Sequence, residues 1–188
     1  MDIKEYSVVF VADRGSLSSR IIEFYQRVKN FIFDAPVPTH TEFYLHNGIT
    51  ISADAVGVRR NKLKRLLKGK RKVWIIELDL KYQFDKDLIE TFLISQIGRP
   101  YDFKAIIWFA TKFPILGRII AKIIRLIFKK NIQPDKYAYF CSELVLRALQ
   151  QIGLLTHLDP EKTTPYELFE NLKIYYKEKV IYDNIKNP

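Results

Sequence analysis

Thr39-His40-Thr41-Glu42-Phe43-Tyr44-Leu45-His46-Asn47-Gly48-Ile49-Thr50-Ile51-Ser52-Ala53-Asp54 is the stretch that decides how this chain is read. Two β-branched and aromatic runs flank Asn47-Gly48. Asn-Gly between such runs is the strongest short-range signal for a hairpin, because both residues tolerate positive φ. We therefore expect strands over 39–45 and 49–55. Alternation along the first puts His40, Glu42 and Tyr44 on one face and Thr41, Phe43 and Leu45 on the other. The odd face is the apolar one, so His40 is expected to look into a cleft. With the turn placed at Asn47, Ser52 is expected opposite His40, and Asp54 one step further on the same face.

Outward from the hairpin, Tyr6–Ala12 reads as a buried strand and Val73–Leu80 as another. Ile21, Ile22, Tyr25, Val28 and Phe31 recur at three and four, which predicts a helix running to about Phe33, with Pro36 and Pro38 ending the segment. Arg59–Lys72 carries nine basic residues in fourteen, with Leu63, Leu66 and Leu67 at helical spacing. Residues 85–97 are amphipathic and close on Gly98. A helix is expected over 142–152. A second starts at Pro165 with Thr164 as its cap, and a last strand lies near 174–182. No repeat, linker or compositional break divides the chain. The expectation is a single α+β domain over 1–188, with an apolar basic helical insertion at about 103–130.

Composition narrows the function classes. The chain has 188 residues, 48% hydrophobic and 28% charged, with 7 Gly and 8 Pro, which excludes disordered and collagen-like classes. One Cys excludes a disulfide framework and a Cys-rich zinc site. No phosphate loop and no Gly-x-Ser-x-Gly elbow is present, and no metal or other cofactor is expected. The net charge of +10 points to an anionic partner. Aromatic residues are not interleaved with the 59–72 basic run, so nucleic acid is not expected. Arg118, Lys122, Arg125 and Lys129 form one helical stripe beside Ile115, Leu116, Ile119, Ile120 and Ile123, the pattern either of a surface helix with its wide apolar face on the core or of an interfacial helix meeting an anionic membrane. Lys and Arg interrupt that region too often for a spanning helix, and residues 1–14 lack a secretory signal pattern. A cytoplasmic protein, peripheral at the membrane, is the expectation.

Chemistry is then sought at Cys141, in Tyr139-Phe140-Cys141-Ser142-Glu143-Leu144-Val145. A helix begins at or just after it, and free N–H groups at a helix start favour a thiolate and an oxyanion. A thiol at neutral pH needs a base. His157 falls in a polar loop and His46 in the turn, so His40 is the candidate. Ser52 and Asp54 are the candidate orienting partners, with Glu42 and Tyr101 as further candidate supports.

Taken in order, His40, the Asn47-Gly48 turn, Gly57-Val58, Gly98-Arg99-Pro100-Tyr101-Asp102 and Phe140-Cys141-Ser142-Glu143-Leu144-Val145 resemble the circularly permuted branch of the NlpC-type papain-like superfamily. This is the YiiX/YaeF-like group, related to lecithin retinol acyltransferase-like enzymes. The similarity runs from about Tyr6 to Leu172. It implies a permuted papain-like fold, Cys141 as nucleophile, His40 as base, and an amide or ester substrate, either a peptide amide or an acyl lipid. Its third polar residue, usually Glu or His on the second hairpin strand, falls on Ser52. That departure leaves a second expectation, a weak or inactive member serving as a membrane- or anion-binding module.

Overall fold

The computed structural model describes residues 3–13, 17–30, 32, 35–104 and 138–184, and among them the chain forms a mixed α+β architecture. The strands are β1 (Ser7–Asp13), β2 (His40–Tyr44), β3 (Ile49–Asp54), β4 (Gly57–Lys62), β5 (Arg71–Glu77) and β6 (Glu178–Asp183). The helices are α1 (Leu17–Asn30), α2 (Gln83–Ser95), α3 (Cys141–Gln150) and α4 (Pro165–Lys173), and a 3₁₀ turn spans Leu63–Arg65. The sheet has six strands in the order β4-β3-β2-β1-β5-β6, antiparallel throughout.

Both faces of this sheet are covered, which explains the unbroken apolar run of β1. Val8, Phe10 and Ala12 join Phe43, Ile51, Trp74 and Ile76 beneath residues of α2, α3 and α4. The Phe169 ring of α4 meets Phe10 edge-on at 5.0 Å and Trp74 at 5.5 Å. Val9 and Val11 point the other way and pack with Tyr44, Val73, Ile75, Leu63 and Leu66. α4 begins as its sequence dictates. The Thr164 hydroxyl accepts from the Glu167 N–H at 3.2 Å, the Glu167 carboxylate accepts from the Thr164 N–H at 2.9 Å, and Pro165 follows the cap.

Two expectations are corrected. The helical spacing in 59–72 does not make a helix: 57–62 is the edge strand β4, and Leu63 and Leu66 serve a short turn that closes the second apolar face. Arg59 and Arg60 face solvent there, a charged edge that hides the strand from pattern reading. The hairpin register also differs. Ile49 N–H donates to His46 O at 2.9 Å and Leu45 N–H to Ile49 O at 3.0 Å, so the loop holds three residues, His46–Gly48. Phe43 pairs with Ile51 and Tyr44 with Thr50. That register, continued, sets Ser52 opposite Glu42 and Asp54 opposite His40. The insertion expected at about 103–130, with Arg118, Lys122, Arg125 and Lys129, lies outside the described residues except for 103–104.

Candidate active site

Cys141 is the first residue of α3, preceded by Phe140 in extended backbone (φ −95°, ψ 168°) with no side-chain cap. The first intrahelical bond runs from Leu144 N–H to Phe140 O at 3.1 Å. The N–H groups of residues 141–143 therefore have no acceptor within the helix and carry its positive end. α3 packs on β2 and β3. Cys141 is 1% exposed.

A strap of chain fixes the approach to the thiol. Residues 98–102 are tied to β4 by Val58 N–H to Arg99 O and by Gly98 N–H to Val58 O, both 2.9 Å. The other side is tied to the segment before Cys141. Tyr139 N–H donates to Pro100 O at 3.1 Å and Asp102 N–H to Tyr139 O at 3.0 Å, around a parallel bridge between Tyr101 and Tyr139. The Tyr139 hydroxyl donates to Gln96 Oε1 at 3.0 Å, and the Arg99 guanidinium lies 5.4 Å over the Tyr139 ring. Gly57 permits this closeness: it has φ +119°, and a Cβ there would sit 2.6 Å from Arg99 O. The Gly57-Val58 and Gly98–Asp102 motifs thus share one job, holding Tyr101 and Cys141 in place.

His40 stands at the start of β2, 20% exposed, with Nε2 3.0 Å from Glu42 Oε1. The Cys141 side chain is the other group that acts on the ring. Burial opposes a charged ring here. The Cys141 and Glu42 partners outweigh it and raise the His40 pKa to about 10. Glu42 is fully buried and triply held. Its Oε1 also accepts from Arg65 Nη2, and its Oε2 accepts from the Thr50 hydroxyl at 2.5 Å. Burial pushes its carboxyl up, but His40, Arg65 and Thr50 together hold it below its ordinary 4.5.

The orienting partner is therefore two residues along the same strand. Ser52 is buried, but its hydroxyl accepts from Asn61 Nδ2 at 3.0 Å. Asp54 accepts from Arg59 at 2.7 and 2.9 Å and from Val56 N–H at 3.0 Å. Neither orients His40, because the three-residue loop moves Ser52 to face Glu42 and Asp54 is taken by Arg59. Tyr101 does join the site. Burial raises its hydroxyl pKa far above the ordinary range, with negative charge at Cys141, Asp102 and Asp54 adding. Its ring meets Phe103 edge-on at 5.0 Å. His46 pairs with Glu90 Oε1 at 3.5 Å and His157 is exposed. Sequence reasoning missed Thr50 and Arg65, and Arg65 carried no signal beyond its place in a basic run.

A cavity of about 200 Å³ opens beside the ring, lined by His40, Tyr101, Phe103, Val11, Ile22 and Arg65 among others. Among the described residues no group of three or more His, Cys, Asp or Glu could hold a metal ion, and no helix is long and apolar enough to cross a membrane. Glu143, two residues after the thiol, is a further buried acid, as is Asp102 on the strap. Burial raises the Glu143 pKa to about 7 against the pull of Arg147, whose guanidinium lies 2.9 Å away. Compared with family models, with curated proteins and with solved structures, the chain shows no match.

A pH prediction follows from Glu42. Its folded pKa lies below its unfolded value, so its stabilising contribution is complete above 4.5 and is lost as pH falls below it. In urea unfolding, the stability gap between the wild type and Glu42→Gln should narrow from pH 5 to pH 3. A gap that stays constant or widens over that range would show that Glu42 is not held as an anion.

Proposed function

We propose that this chain is a cysteine hydrolase or acyltransferase of the permuted papain-like type, acting on an amide or ester. The observation that carries this reading is His40 set between the Cys141 thiol and the buried Glu42 carboxylate. Nucleophile, base and orienter are the three parts that thiol acyl transfer needs. The helix-start amides beside Cys141 are placed to receive an oxyanion. The order of parts along the chain, with His on the hairpin before Cys on a helix, supports the permuted arrangement. The alternating Glu42 supplies the carboxylate that the departure at Ser52 had left wanting.

In the reaction, the Cys141 sulfur attacks the substrate carbonyl carbon, and the carbonyl π pair moves to oxygen. The tetrahedral adduct collapses as His40 gives its proton to the leaving nitrogen or oxygen, leaving an acyl-thioester. Water, or an acceptor alcohol or amine, then gives a proton to His40 and attacks the thioester carbon. Collapse returns the sulfur as thiolate beside the protonated ring, and the acyl product departs.

An activated ester tests this without knowledge of the natural substrate. On incubation with p-nitrophenyl butyrate, intact-mass spectrometry should find one butyryl group per chain, located at Cys141 and removed by hydroxylamine. Cys141→Ala should show none. Equal labelling of Cys141→Ala, or none in the folded wild type, would overturn the reading.

A further inference from the structure

Glu42 binds two cations through one oxygen. Oε1 receives both His40 Nε2 and Arg65 Nη2, while Oε2 receives the neutral Thr50 hydroxyl. If the carboxylate only had to be held in place, Thr50 and the strand would suffice. Arg65 adds a charge. It comes from the 3₁₀ turn and is anchored independently of the carboxylate: its carbonyl accepts from Arg71 Nη1 at 3.1 Å, and Arg71 Nη2 is paired with Asp13 Oδ2 at 3.1 Å. The turn itself is fixed by Leu63 N–H to Gly48 O at 2.8 Å and by buried Leu63 and Leu66.

We propose that Arg65 is a positioning residue that shares Glu42 with His40 and so limits how strongly the ring holds its proton. This rests on the acyl-transfer reading above. The ring has two tasks in that chemistry, to take a proton and to give it to the leaving group, and an imidazolium held too firmly does the second poorly. Every strong contact of His40 pulls toward the charged form: the Cys141 sulfur from α3 and Glu42 from its own strand. Asp54 from β3 and Asp13 from β1 line the same cavity, but each is engaged by its own arginine, Arg59 and Arg71. Tyr101 contributes a neutral hydroxyl. Arg65 is the cation that meets the His40–Glu42 pair directly and opposes that pull.

The test is the titration of the His40 ring by NMR in the full chain, its signal assigned by its absence in His40→Gln. Arg65→Gln keeps a donor and removes the charge. It should raise the His40 midpoint by about half a pH unit or more, a modest shift because Arg65 is partly exposed. Arg65→Lys should restore the wild-type midpoint. Turnover of the butyryl ester should fall severalfold in Arg65→Gln while the thiol stays as reactive toward iodoacetamide. An unmoved or lowered midpoint in Arg65→Gln overturns the inference. If Gln does not fold, Arg65→Met against Arg65→Lys makes the same comparison. The two readings fail separately. A wild-type His40 titrating near its ordinary 6.5 removes the dyad, whereas a high wild-type midpoint indifferent to Arg65 removes only this role.

Discussion

Alkylation of Cys141 by iodoacetamide at pH 6 should slow on the order of 100-fold in His40→Ala, because an ordinary thiol is almost wholly protonated there. On the acyl-transfer reading, the charged His40 ring beside Cys141 is what keeps the sulfur reactive at neutral pH. In the wild type the rate should therefore hold a plateau until the ring loses its proton at about 10. In His40→Ala it should climb with pH as a free cysteine does, with a midpoint near 8.5 or above. Glu42→Gln should lie between the two, since the ring keeps its sulfur partner but loses the anion at Nε2. The thiol is nearly buried, so the ratios between proteins at one pH are the readout. A wild-type profile that follows the free-thiol curve would sink the acyl-transfer reading, and with it the role given to Arg65.

The second large effect is expected away from the reacting atoms. Gly57→Ala should destabilise the protein by roughly 2–4 kcal/mol, since it forces a side chain into positive φ and against a backbone carbonyl. The Cβ has no room to yield. It meets Arg99 O at 2.6 Å, and that oxygen is already bonded to Val58 N–H at 2.9 Å. Relief means moving the strap, and the strap carries Tyr101 and holds the backbone before Cys141. Thiol reactivity should fall along with stability. Gly48→Ala is the control, with φ +74° but nothing within 4 Å of the added Cβ. It should cost only about 1 kcal/mol. Equal costs in urea unfolding would mean that the strap is not tightly docked on β4.

The hairpin, the buried first strand, the cap of α4 and the candidate pair Cys141 and His40 could all be read from local pattern. Period-two alternation and Asn-Gly chemistry act within a few residues, and the sequence states them directly. What escaped was longer in range. β4 is a charged edge strand whose only pattern is its place beside β3. The partner of His40 was sought across the hairpin, where one loop residue decides the answer, although alternation had already put Glu42 on the same face. A glutamate side chain is long enough to reach back along its own strand, and Ser52 is not. Thr50 and Arg65 could be found only from the register and from the turn that follows β4. Residues 105–137 lie outside the described structure, so the membrane stripe stands as a sequence expectation.

The sheet order has a consequence for biosynthesis. β1 lies in the middle, and the chain adds β2, β3 and β4 on one side before returning with β5 and β6 on the other. His40 and Glu42 are therefore made and paired early, while Cys141 follows after about a hundred further residues, a separation that slows assembly. A nascent or truncated chain that stops before α3 carries the His40–Glu42 pair without Cys141 beside it. The Cys141 sulfur comes beside His40 only when its helix docks on a hairpin that is already waiting.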